Sequence, residues 1–147
     1  MTETQLALVR PEELPKAWRA CAPLIDAALD YNGRNLPRRF ETTDIRERVA
    51  DGRFQLWLAV GDGAEAVCIT EILNYPRCKV FSVVILTGQY RGRWLHHIET
   101  MFSWAAAQGC TRAEAWARPG WARVLKGYGL RMTHALIEKG LSDVARV

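Results

Sequence analysis

Residues 84–93, Val84-Ile85-Leu86-Thr87-Gly88-Gln89-Tyr90-Arg91-Gly92-Arg93, pass from an apolar run into a polar break that contains two glycines and two arginines. The run starts upstream. Val80-Phe81-Ser82-Val83-Val84-Ile85-Leu86 is almost continuously apolar, as a strand covered on both faces should be. After the break a helix is expected from about Trp94, because Leu95, Ile98, Phe102 and Ala105 recur on one stripe, and Gly109 suits its C-terminal cap. A buried strand, a flexible cationic turn and a helix start in succession make a place where an anion can sit: helix N-termini carry unpaired amides and partial positive charge, and glycine lets the backbone come close.

Outward from that stretch, the turn Gly61-Asp62-Gly63 separates strand candidates Phe54–Val60 and Ala64–Leu73, and Asn74-Tyr75-Pro76-Arg77 leads into Lys79–Thr87. Gln5–Val9 reads as a short strand. Leu14, Ala17, Trp18, Cys21, Leu24, Ile25 and Ala28 repeat at helical spacing, with Pro15 in the first turn. Residues 30–43 read as a long loop, and Asp44-x-x-Glu47 as a capping box opening a short helix that ends at Asp51-Gly52. Downstream, Arg112–Ala117 is a strand, Pro119 starts a helix closing near Lys126-Gly127, and Arg131–Lys139 supplies a final strand. The order β-α-α-β-β-β-α-β-α-β predicts one α/β domain over residues 1–147, a mixed sheet with helices on both faces.

Composition narrows the function classes. With 49% hydrophobic and 24% charged residues among 147, the chain has the profile of a soluble globular domain rather than a disordered one. No apolar run reaches the roughly 18–20 residues of a membrane span, and MTETQLALVRPEEL shows no secretory signal, so the cytoplasm is the expected location. Cys21, Cys68, Cys78 and Cys110 form no CxxC pair, and His96, His97 and His134 no ligand pattern, so no metal is expected. The net charge of +4 is too mild to indicate nucleic acid, which ranks last because no aromatic stacking pattern interleaves the arginines. Its distribution is more telling. Arg77, Lys79, Arg91 and Arg93 stand without an acid between residues 77 and 93, and five basic residues face only Glu114 between 112 and 131. A solvated arginine surface accounts for both clusters equally well.

The element order, the segment Val84–Arg93, and the later Ala115–Ala117, Pro119–Lys126 and Gly129-Leu130 together resemble the Gcn5-related N-acetyltransferase (GNAT) family from about Leu6 to Lys139. The resemblance implies an acetyl-CoA site. In it the central strand around Leu86 would offer peptide groups to the pantetheine arm. The turn Gln89, Tyr90, Arg91, Gly92, Arg93, Trp94 would hold the diphosphate through the amides of 91–94 and a guanidinium of Arg91 or Arg93. The family pattern Arg/Gln-x-x-Gly-x-Gly/Ala is interrupted, since Trp94 and His96 stand where small residues belong. An indole there fits only if its ring turns into the core.

The resemblance also implies proton transfer. The tyrosine that many members carry four residues before the terminal Gly-Phe is Leu125 here, which leaves Tyr128, three residues on, as the candidate acid. Glu71, the one carboxylate inside the expected sheet core, shares a face with Val67, Ile69 and Leu73 and is the candidate base; alternatively it points into water or pairs with an arginine. Arg34, Arg38 and Arg39 lie in the loop that would face the acceptor, or simply form a solvated loop. Most of the six tryptophans should be core, with Trp121 the one at a surface, and His96-His97 reads as a solvated pair.

Two function classes follow. One is an acetyl-CoA-dependent N-acetyltransferase acting on an amine the sequence does not name. The other is a GNAT fold without chemistry, serving as a binding or assembly component and associating with itself or another protein. Small GNAT-like proteins of tailed bacteriophages look similar in length and in Arg118-Pro119-Gly120-Trp121-Ala122-Arg123-Val124-Leu125, which on that reading implies virion association.

Overall fold

The computed structural model describes residues 3–31, 38–142 and 144. Five strands form one sheet in the order β1 (Gln5–Leu8), β2 (Phe54–Gly61), β3 (Gly63–Asn74), β4 (Lys79–Gly88) and β5 (Arg112–Ala115), so sequence order is also spatial order. The first three pairings are antiparallel and β4–β5 is parallel. The parallel pair needs a crossover, which α3 (Ile98–Ala107) supplies.

The faces follow from alternation along the strands. Phe54, Leu56 and Leu58 of β2 with Val67 and Ile69 of β3 pack on Leu14, Trp18, Cys21, Ile25 and Leu29 of α1 (Leu14–Tyr31) and on Ile45 of α2 (Thr42–Ala50). Trp57, Cys68, Phe81 and Val83 point the other way, onto Met101 and Ala105 of α3. Trp57 donates its indole hydrogen to buried Thr70 at 2.9 Å, and Thr70 donates to Gln55 at 2.8 Å, so the hydroxyl is satisfied inside the sheet. The mixed sheet with helices on both faces is as expected.

Pro15 falls in the first turn of α1, as the sequence required, while Pro23 lies inside the helix on its exposed side, where it costs one backbone hydrogen bond and leaves the Arg19 carbonyl to water. Four local expectations are corrected. The α2 capping box is set three residues earlier: Glu41 is the N-cap and its amide donates to Asp44 at 2.8 Å, because Glu41, Asp44 and Glu47 repeat every three positions and leave the phase open. The helix after the turn does not begin at Trp94; two 3-10 turns, Arg91–Arg93 and Leu95–His97, precede α3, with Trp94 at φ −140 between them. β5 ends at Ala115 rather than Ala117. The strand expected at Arg131–Lys139 does not form: those residues are exposed and join no ladder, and a strand's composition without pairing does not make a strand. α4 (Pro119–Leu125) closes with the 3-10 turn Lys126–Tyr128, as expected.

All four cysteines are free. Cys21 and Cys68 are buried, and burial pushes the Cys21 thiol up to about 11 and Cys68 higher, so both are apolar filling rather than nucleophiles. No helix among the described residues is long and apolar enough to cross a membrane.

Candidate functional site

β4 and β5 part company. Their ladder runs from Val80↔Arg112 to Val83↔Ala115, while β4 continues to Gly88 and the chain after β5 turns off into α4. The β3–β4 register shifts between Ile69 and Thr70, leaving Val84 as an extra residue on β4. Val84 and Ile85 therefore both face the α1 cluster, and Leu86 swings to the other face. A bulge bends its strand and ends pairing, and here it coincides with the fork. From Val84 to Gly88, β4 has no strand on its β5 side among the described residues, so no ladder uses its peptide groups on that side.

Beyond Gly88, Tyr90 adopts φ 57, the one described non-glycine residue with positive φ. A tyrosine in the left-handed region costs about 1–2 kcal/mol, and such outliers concentrate at functional turns. The turn then tightens: the Arg93 amide donates to Tyr90 O at 2.9 Å and the Trp94 amide to Arg91 O at 3.1 Å. The four amides of the expected diphosphate cradle therefore differ. Two of its four amides are spent inside the turn, and those of Arg91 and Gly92 are the ones without a backbone acceptor among the described residues.

The two arginines also differ. Arg93 is held by Glu65: its Nη2 donates to Oε2 at 3.0 Å, and Nε lies 2.7 Å from Oε1 but out of line for a directed bond. Glu65 holds the turn a second time through its carbonyl, which accepts the Gln89 amide at 3.4 Å. Two glycines make room for this clasp. A Cβ on Gly61 would stand 1.9 Å from Glu65 Oε2, and one on Gly88 would stand 2.6 Å from both Glu65 O and Ala66 Cβ. Arg93 is thus paired with a carboxylate. Arg91 is exposed, its guanidinium 5.7 Å from the Trp121 ring centroid, with no carboxylate partner among the described residues.

Trp94 turns inward. It is buried among Ala59, Ala66, Leu95, Ile98 and Leu125, and its Nε1 donates to Gln89 O at 2.6 Å. Its ring meets Trp121 at 6.4 Å between centroids with the planes tilted by 44°, so a run of contacts from Trp94 through Trp121 to Arg91 joins the turn to α4. Trp121, expected at a surface, is half-buried by this contact, and the exposed tryptophan is Trp116. The void beside Trp94 measures about 10 Å³, which barely reaches what one water needs.

The remaining candidates lie apart from the turn. Glu71 is half-buried opposite Phe54 and Ser82, five residues, or about 16 Å, from the Ala66–Gly88 pair that abuts the turn. It stands one pair below the fork, at the end of the sheet where Arg53, Asn74 and Lys79 line an open depression. Tyr128 is half-buried against the cluster around Trp94 and Leu125, and Leu86 borders the same cluster. The structure does not bring Glu71 and Tyr128 into contact. Arg38 pairs with Asp30 and Glu41; Arg39 reaches Glu138 at 3.4 Å and lies over Trp116 at 5.3 Å; Arg34 falls outside the described residues.

Sequence reasoning missed Glu65, whose pairing with a residue 28 positions away carries no local signal. It also missed Thr4 and misread His97. Buried Thr4 donates its hydroxyl to Arg93 O at 2.7 Å, and His97 Nε2 lies 2.9 Å from Thr4 Oγ1 and 3.1 Å from Thr4 O. A carbonyl only accepts, so Nε2 carries the hydrogen. Burial, followed by the neighbouring His96, holds the His97 pKa below its ordinary value. His96 is exposed, as the solvated reading required. No group of three or more His, Cys, Asp or Glu side chains among the described residues could hold a metal.

No protein-family model and no curated protein sequence matches the chain. Solved structures do. An aminoglycoside acetyltransferase from an uncultured soil metagenomic sample superposes with TM-score 0.70 at 15% identity, over 96% of this chain and 100% of that one. A protein from Clostridium acetobutylicum described as a predicted acetyltransferase, with acetyl-CoA, gives TM-score 0.65 at 10% identity, over 94% and 96%. A transcriptional regulator from Bacillus halodurans C-125 gives 0.67 at 15%, over 93% and 99%. At such identities the likeness establishes the fold, which is that of the GNAT acetyltransferases, and leaves function to the site.

Proposed function

With that fold as the premise, we propose that the chain is an acyltransferase that takes acetyl-CoA in the β4 fork and passes the acetyl group to an amine. The observation that carries this reading is the parting of β4 from β5 beside an uncommitted cation: five residues of open strand edge, Val84–Gly88, lead to the free amides of Arg91 and Gly92 and to the exposed Arg91 guanidinium. Open peptide groups suit an amide-bearing arm, and the turn suits a diphosphate. The thioester, when bound, supplies the activated acyl group. Arg91 leaves the Trp121 face to meet the phosphates, Glu71 accepts the proton the amine gives up, directly or through water, and Tyr128 is the hydroxyl offered to the departing sulfur. Much of the rate in such a site comes from holding the reactants in line.

A second reading is a fold that binds without reacting. Its support is the Trp94–Trp121–Arg91 contacts between the turn and α4, together with Leu125 buried at the position of the expected acid.

Thermal unfolding with and without acetyl-CoA separates the two. A ligand that binds only the folded state raises Tm with concentration. The acyltransferase reading expects that rise in the parent chain and its loss in Arg91→Ala, with the apo Tm unchanged because Arg91 is exposed. No shift at millimolar acetyl-CoA overturns the acyltransferase and leaves the non-reacting protein.

A further inference from the structure

Glu71, Ser82 and Glu114 stand in one row across the sheet: Glu71 pairs with Ser82 between β3 and β4, and Ser82 pairs with Glu114 between β4 and β5. Directly paired residues share a face. Phe54, which pairs with Glu71 and packs in the α1 cluster, places all three on the α1 side. The row lies one pair below Val83↔Ala115, the last rung before the fork. Ser82 is only 4% exposed, yet its hydroxyl has no hydrogen-bond partner among the described residues and is not sealed from outside. Buried hydroxyls are rarely left so. On either side of it, Glu71 and Glu114 are half-buried and form no ion pair among the described residues. The basic side chains at neighbouring positions go elsewhere. Arg53 is bonded to Asp51 at 2.7 Å, Lys79 donates to Gln108 O at 2.6 Å, Arg48 lies over the rings of Phe40 and Phe54, and Arg112 is exposed.

We propose that this row is the acceptor subsite and that the acceptor is a diamine or polyamine: Glu71 takes the amino group that reacts, Ser82 accepts one of its N–H bonds, and Glu114 holds a second ammonium group. The proposal rests on the acyltransferase reading. With the diphosphate at Arg91, the acyl end of the cofactor points down the open edge of β4 toward Ser82. A neutral or anionic acceptor would strip water from two unpaired carboxylates and give nothing back. An ammonium returns that loss, and a hydroxyl oxygen accepts its third hydrogen. One charge is not enough to use both acids. The reacting nitrogen must give up its proton before it attacks, which leaves the other carboxylate to hold a group that stays charged. The two acids are two strand spacings apart, about 10 Å at the backbone, so both charges fit on one flexible chain.

Calorimetric titration of the full chain with spermidine, in buffer alone and with saturating coenzyme A, tests this. Saturable binding is expected in at least one condition, tighter than that of butylamine. Glu114→Gln, a half-exposed and isosteric change, is expected to weaken spermidine about tenfold and to leave butylamine unchanged. In acetyl transfer the same variant raises the KM for spermidine about tenfold at unchanged kcat, which a merely structural role would not do, and Ser82→Ala raises it as well. Spermidine that binds no better than butylamine in either condition overturns the proposal, as does spermidine binding indifferent to Glu114→Gln. If acetyl-CoA raises Tm but spermidine does not bind, the cofactor reading stands and the polyamine acceptor falls. If spermidine binds but acetyl-CoA gives no shift, the acyltransferase reading falls, and the row's part in acetyl transfer falls with it.

Discussion

The indole of Trp94 donates a 2.6 Å hydrogen bond to the carbonyl of Gln89, so the first residue after β4 is fastened to the ring that fills the core beneath it. A bulky side chain in place of a small one would spoil an anion turn if it lay in the opening. Here it forms the floor of the turn and leaves the rim to Arg91 and Gly92.

Trp94→Ala removes a buried ring and strands a carbonyl. Loss of a buried aromatic costs about 3–5 kcal/mol, and chemical denaturation is expected to show a fall in that range. Trp94→Phe keeps most of the apolar volume but loses the bond to Gln89, so it is expected to cost about 1–3 kcal/mol. Equal losses in the two variants would contradict the hydrogen bond's role.

Gly88→Ala and Gly61→Ala should differ, although both additions collide. At Gly88 the new methyl meets the backbone and Cβ of its neighbour, at 2.8 Å from Ala66 Cα and 2.6 Å from Glu65 O, so β3 and β4 must separate. Overpacking of this kind costs about 1–3 kcal/mol. At Gly61 the obstacle is the flexible end of Glu65, which can move aside and release Arg93. The expected result is a smaller stability loss than in Gly88→Ala, and, under the acyltransferase reading, tighter acetyl-CoA binding by calorimetry because a second guanidinium becomes available.

His97 makes stability depend on pH. Its folded pKa lies below the ordinary 6.5, chiefly through burial and next through His96, so below that value the unfolded chain binds more protons than the folded one. Stability from the neutral ring is complete above pH 6.5 and is lost as pH falls through 6.5 toward the depressed folded value. Tm is expected to decline across that interval, and His97→Gln to flatten the decline. A parent chain whose pH profile matches that of His97→Gln would remove His97 as the cause.

The framework was readable because it is written in periodicity. Alternation located β2, β3 and β4 to within a residue or two, and the 3.6-residue repeat located α1. The misses share a cause. Arg131–Lys139 carries a strand's pattern, but a strand exists only by pairing, which no pattern contains. The late start of α3 follows from Trp94, whose φ of −140 lets the ring enter the core at the expense of helical continuity. At the site, residue types singled out the turn, while the different surroundings of Arg91 and Arg93 depend on Glu65 across the sheet. Only tertiary contact reveals that.

The bare margin of β4 past its bulge has a consequence for how such proteins diverge. A notch lined by peptide groups recognises its guest through atoms that every amino acid shares, so mutation can rewrite the surrounding side chains without erasing it. The solved structures that share this fold do so at 10–15% identity.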